Sequence, residues 1–131
     1  MNRAERNARA VCEFLNDHPK VDAVGFLADD SDQGRIYKAH CSGAGSTFSV
    51  LVKGGEPEAF AMLDNLRLVK LAVSLGGTES LASHPAVMTH LSVPRERRQQ
   101  LGITDNLVRV SIGIEDPDDL IADFAQALGA I

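Results

Sequence analysis

Two apolar periods alternate along the 131-residue chain. Ala4, Ala8, Val11 and Leu15 recur at helical spacing, which predicts an amphipathic helix over residues 2–16. Glu5 and Arg9 stand four apart on its other side, the orientation that favours an ion pair. His18-Pro19 ends it, because the residue before a proline is driven out of the helical region. Val21–Leu27 predicts a strand, Asp29–Gly34 a polar turn, and Arg35–Cys41 a short helix. Residues 46–52 alternate strictly, with Phe48, Val50 and Val52 on one face and Thr47, Ser49 and Leu51 on the other. That is a half-buried strand, closed by Gly54-Gly55. Pro57 predicts the first position of a helix whose buried face is assigned to Ala59, Phe60, Leu63 and Leu66. Val69–Leu75 predicts a third strand, ended by Gly76-Gly77. Residues 78–94 read as irregular or briefly helical, residues 94–101 as a short charged helix, and Leu107–Ile112 as a fourth strand. Asp116, Pro117 and Asp119 mark the start of a last helix. Leu120, Ile121, Phe124 and Leu128 give it an apolar face, and Gly129 is assigned to C′.

Four short strands alternating with helices predict an α/β (α+β) fold: a small, mainly antiparallel sheet with helices on one face and the other face partly open. No repeat or linker divides the chain, so one domain is expected. Composition supports this reading, with 44% hydrophobic and 24% charged residues. A net charge of −5 argues against a nucleic-acid partner. No apolar run approaches membrane-spanning length, and the arginine-rich start has no signal-like apolar stretch behind it. Cys12 and Cys41 are too few for a disulfide framework, so a cytoplasmic setting is expected.

Candidate chemistry is sparse. In LVRVSI, Leu107, Arg109 and Ser111 share one face while Val108, Val110 and Ile112 share the other. A mid-strand arginine must be exposed, paired with a carboxylate neighbour, or aimed at an anionic ligand as a bidentate fork. SLGGTES (residues 74–80) fits a structural turn better than a phosphate cradle, since it lacks GxGxxG spacing. Ser74 and Ser80 have no triad partners. His84 and His90 lie six apart with no acidic residue between them, a poor zinc pattern; no metal site is expected. Lys38, Lys53 and Lys70 sit in no recognisable cofactor pocket. Arg95, Arg97 and Arg98 read as a helix surface. The acidic run Glu115, Asp116, Asp118 and Asp119 suits a helix N-terminus.

Three blocks, LAVSLGGTESLASHPAVMTH (71–90), LGITDNLVRVSIGIEDPDDLIADFAQAL (101–128) and, more loosely, RNARAVCEFLNDHPKV (6–21), resemble the Cys/Met-metabolism family of pyridoxal-phosphate enzymes. That family includes the cystathionine γ-synthases and γ-lyases, methionine γ-lyases and O-acylhomoserine sulfhydrylases. The resemblance spans nearly the whole chain but only the family's C-terminal small domain. It therefore implies the small-domain fold of fold-type I pyridoxal-phosphate enzymes over residues 1–131, with residues 1–17 the end of the interdomain helix. Met1 aligns with an internal residue of the family, which implies a fragment of a longer protein. By the same resemblance Arg109 binds the substrate's α-carboxylate, Ser74 beside Leu75 places it, and Thr89 lies near the substrate end of the site. Val73 stands where the synthases and γ-lyases of cystathionine are typically acidic, so it favours methionine γ-lyase or O-acylhomoserine sulfhydrylase chemistry. No catalytic or cofactor-binding residue is assigned here. Pyridoxal phosphate and its lysine belong to the absent large domain, leaving this chain inactive alone. The implied partners are an amino acid substrate, the large domain and, at full length, further copies of the protein. The family's proline-rich PGL…HP stretch is replaced by GFLADDSDQGRIYKAH, so the loop over 28–45 is expected to be rebuilt. Rival readings are a cystathionine γ-synthase or γ-lyase small domain, a free-standing carboxylate-binding module, and an oligomerising module whose open sheet face self-associates.

Overall fold

The computed structural model describes residues 1–27 and 31–131. Five helices and five strands follow in the order α1 (Asn2–Asn16), β1 (Val21–Gly25), α2 (Asp32–His40), β2 (Thr47–Val52), α3 (Glu56–Asn65), β3 (Lys70–Leu71), β4 (Leu81–Ser83), α4 (Arg95–Gln100), β5 (Leu107–Ser111) and α5 (Pro117–Leu128). The strands form one sheet in the order β1-β2-β5-β4-β3. The first three neighbouring pairs are antiparallel, and β3 joins the edge parallel to β4. The expected mixed, mainly antiparallel architecture is present, with one more strand than periodicity predicted.

The core lies on one face of the sheet. Phe48, Val50 and Val52 of β2, Val108 and Val110 of β5, and Ala82 of β4 meet Val11 and Leu15 of α1, Met62 and Leu63 of α3, and Leu120, Phe124 and Leu128 of α5. Register brings these side chains together: Val50 opposes Val108 and Ala82 opposes Val110. A one-residue slip in any pair would send them to the other face. Asp116 caps α5 as expected, its carboxylate accepting from the Asp118 N–H at 2.9 Å. Glu58 reaches back to the Gly55 N–H at 2.7 Å, half of a capping box for α3.

Several expectations are corrected. The first strand ends at Gly25, two residues early. Ser31 caps α2 through Gly34 N–H at 3.1 Å, so Asp32–Gly34 belong to a helix rather than a turn, while Asp29 and Asp30 lie outside the described residues. Pro57 is the second helical residue of α3, after Glu56. The buried face of α3 runs through Ala59, Met62 and Leu63. Phe60 turns instead to His84, ring edge to face at 4.9 Å, and Leu66 is only half-buried. The third strand shrinks to Lys70–Leu71, and the stretch read as irregular contains the buried strand β4. Gly129 closes α5 as its C-cap with φ −63°, not as a left-handed C′ residue.

Candidate functional site

The face of the sheet opposite the helices carries the polar side chains. Across β2, β5 and β4 the register sets Ser49 and Ser83 on either side of Arg109, and Thr47 and Leu81 on either side of Ser111. Gly25 continues the first row on β1, and there a Cβ would come within 2.6 Å of the Ser49 hydroxyl. Arg109 thus stands at the centre of a small-residue row that leaves room around its long side chain.

Beyond β3 the chain leaves the sheet edge and crosses above β5, and β5 with its continuation grips it step by step. The Arg109 guanidinium donates through Nη2 to the Val73 carbonyl and, at 3.5 Å, to that of Ser74. The Gly76 N–H donates to Ser111 Oγ at 2.9 Å, and the Ile114 N–H to the Thr78 carbonyl at 2.9 Å. Glu115 then accepts from the Ser80 N–H at 2.6 Å and from its hydroxyl at 2.8 Å. That hydroxyl in turn accepts from the Gly113 N–H at 2.8 Å. Two glycines make this possible: Gly76 has a left-handed φ of +77°, and a Cβ on Gly113 would lie 2.1 Å from the Thr78 carbonyl oxygen. Asn7 of α1 fastens the far end, donating to the carbonyls of Gly113 and Glu115 at 3.2 and 2.8 Å.

Arg109 therefore has carbonyl partners, not the carboxylate neighbour that an arginine on a sheet face would suggest. Among the described residues no acceptor is bonded to its Nε or Nη1. Each of these donors can still be given to an oxygen of a ligand's carboxylate. Val73, Ser74 and Leu75 are all exposed beside it. The structure brings Arg109, Val73, Ser74 and Leu75 together. It does not tie Thr89 to them: Thr89 is exposed, and its hydroxyl bonds locally to the His90 ring at 2.8 Å and the Pro85 carbonyl at 3.5 Å.

Pattern reading sets Ser111 on the arginine's face without giving it a partner, and it misses Glu115 and Ser80. Glu115 reads as part of an acidic helix start, and Ser80 as a hydroxyl without partners. The available signal was the Arg109/Ser111 alternation, which puts a second polar side chain on the arginine's face.

His84 is fully buried, its Nε2 2.7 Å from the Asp105 carbonyl. A carbonyl only accepts, so Nε2 is the donor here, while Nδ1 is buried without a partner. Asp105 also takes Arg98 at 3.2 Å and Arg95 at 2.5 Å, and these guanidiniums, Arg98 first, hold its carboxyl below its ordinary range. The arginine cluster is thus partly a clip and not only a helix surface. Among the described residues no group of three His, Cys, Asp or Glu could hold a metal ion, and no helix is long and apolar enough to cross a membrane.

The sequence matches the family described as Cys/Met metabolism PLP-dependent enzyme over residues 1–129. It is 47% identical over 129 residues to a cystathionine gamma-lyase of Dictyostelium discoideum, covering 98% of this chain and 33% of that protein. It is 45% identical over 132 residues to an L-methionine gamma-lyase of Fusobacterium nucleatum subsp. polymorphum, covering 100% of this chain and 33% of that protein. A Bacillus subtilis (strain 168) cystathionine gamma-lyase is 45% identical over 129 residues, 98% of this chain and 34% of that protein. The chain spans about a third of the length of these curated relatives.

Proposed function

The chain belongs to the Cys/Met-metabolism PLP-dependent enzymes, and from that premise we propose that it is the substrate-carboxylate-binding small domain of such an enzyme. The observation that carries the reading is Arg109, oriented by the Val73 and Ser74 carbonyls with Nε and Nη1 left unbonded among the described residues. A guanidinium fixed at one nitrogen by its own protein loses less rotamer freedom when its remaining donors take a ligand.

The cofactor of the family is pyridoxal phosphate. The residues described here do not fit it. Lys20 is tied to the Leu128 and Ile131 carbonyls, Lys53 to the Pro19 carbonyl at 2.8 Å, and Lys70 to the Arg67 carbonyl. Lys38 stands on α2 with Tyr37 and Cys41, along a different cavity of about 240 Å³. Among the described residues, the hydrogen bonds of Lys20, Lys53 and Lys70 go elsewhere than Arg109 and residues 73–76. The cofactor and its lysine are therefore assigned to the remaining two thirds of a longer protein, and this chain is inactive by itself. The exposed apolar side chains of Leu71, Val73 and Leu75 suit a surface which that remainder covers.

The relatives' names divide between cystathionine and methionine γ-lyases. Within that division Val73 supports a substrate with a neutral distal end, methionine or an O-acylhomoserine, because an apolar side chain offers nothing to a distal ammonium group.

The experiment is steady-state kinetics on the protein extended to its relatives' length, beside the 131-residue chain, both supplied with pyridoxal phosphate. The extended protein is expected to turn over methionine or O-acetylhomoserine plus sulfide better than cystathionine, and the short chain to turn over none. Arg109→Ala should lower kcat/KM about 10–100-fold, the scale of a lost charge-assisted hydrogen bond. An unchanged kcat/KM contradicts the carboxylate role, cystathionine as best substrate contradicts the Val73 reading, and turnover by the short chain contradicts its inactivity.

A further inference from the structure

We propose that Ser111 is a positioning residue for the Arg109 site, a proposal that rests on the carboxylate reading of Arg109. Arg109 and Ser111 are two residues apart on the same face of β5, and between them they pin both ends of the segment 73–76. Arg109 holds the Val73 and Ser74 carbonyls, and Ser111 Oγ accepts the Gly76 N–H at 2.9 Å. The segment has little else to fix it. Residues 73–79 are all exposed, so burial supplies little hold on the main chain there. The Ala72 N–H bond to the Ala82 carbonyl at 2.9 Å fastens the chain just before it, and the bonds at Thr78 and Ser80 the chain just after it.

Ser111 itself is buried, held on β5 between Thr47 and Leu81 of the neighbouring strands. Its hydroxyl is thus a fixed point and the segment the part that gives. Gly76 is the hinge: in its left-handed conformation its N–H points down to Ser111 while the preceding carbonyls meet the guanidinium. Without the Ser111 acceptor, the Val73 and Ser74 carbonyls move relative to Arg109, and the Nε and Nη1 donors left for a ligand lose their fixed direction. Ser111 touches no ligand in this account. It acts through the main chain and Arg109.

The test uses the 131-residue chain, ligand-free, by nuclear magnetic resonance. Two signals are followed in wild type, Ser111→Ala and Ser111→Thr: the exchange rate of the Gly76 amide and the Arg109 side-chain Nε–H resonance. The alanine variant should speed Gly76 exchange about tenfold, the scale of one lost hydrogen bond, and shift or broaden the Arg109 signal. Threonine, which restores the hydroxyl, should return both. If alanine unfolds the chain, Ser111→Cys keeps the space filled with a weak acceptor and the same signals are read. Faster Gly76 exchange with an unmoved Arg109 signal would show Ser111 to be a loop fastener only and would overturn the proposal, as would no change in either signal. Because these spectra contain no ligand, their failure is distinct from a failure of Arg109 to bind carboxylates, which the Arg109→Ala kinetics and a carboxylate titration decide.

Discussion

An arginine in the middle of a strand costs free energy unless its donors are met. Arg109 meets part of that cost with main-chain carbonyls, and the donors left over are the ones a ligand can use. Asp105 shows the opposite economy, with its oxygens taken up by Arg95 and Arg98 and its carbonyl by His84. Its carboxyl is held below the ordinary value of 3.8, chiefly by the Arg98 hydrogen bond. A carboxyl depressed on folding adds stability that is present above its ordinary pKa and is lost as pH falls through the folded one. Asp105→Asn should therefore destabilise the chain at pH 7, and the gap from wild type should narrow below about pH 4. Urea unfolding at the two pH values checks this, and a gap independent of pH would contradict it. Burial acts the other way on the Cys12 thiol, pushing it up to about 12.

Among the elements, α5 connects the core to the segment that leads into the site. Its Asp123, buried on the helix, accepts from the Arg67, Leu68 and Val69 N–H groups at 2.8, 2.9 and 2.9 Å. The turn between α3 and β3 is thereby fixed by a side chain some fifty residues away. Asp123→Ala should cost about 3 kcal/mol, since it strands one buried and two part-buried donors, and Asp123→Asn, which keeps one acceptor oxygen, should cost less. Denaturant unfolding measures both, and an alanine variant within about 0.5 kcal/mol of wild type would refute the role. Such long-range ties explain what could be read from sequence. Elements packed by their own periodicity, α1, β2, β5 and α5, were legible because Phe48, Val50, Val108 and Phe124 follow the local period. β3 was overextended because Leu71, Val73 and Leu75 alternate like a strand, yet they stay exposed where the chain leaves the sheet to cross β5. β4 was missed because three residues, Leu81–Ser83, are too few to show a period, and it is their neighbours on both sides that make them a strand. Arg109 was legible as an intruder in an apolar strand. Its partners at residues 73 and 74 were not, because main-chain carbonyls have no sequence signature.

At the scale of the whole molecule, the chain puts α1, α3, α5 and the core on one side of a sheet and its polar row on the other. The first side holds the buried core. The second presents Arg109, the segment 73–76 and the exposed Leu71, Val73 and Leu75 as a surface. A domain of an enzyme that supplies only the grip on substrate would have this division, with the reacting lysine elsewhere. The claim at the centre of the account is that Arg109 recognises the carboxylate of an amino acid. Its most direct measurement is a titration of the 131-residue chain with L-methionine and, separately, with L-methioninol, which replaces the carboxylate by an alcohol and keeps the amine and thioether. Both titrations are followed at the Arg109 Nε–H resonance. Methionine is predicted to move that signal saturably and methioninol to leave it in place; equal responses to the two, or none to methionine, would contradict the account.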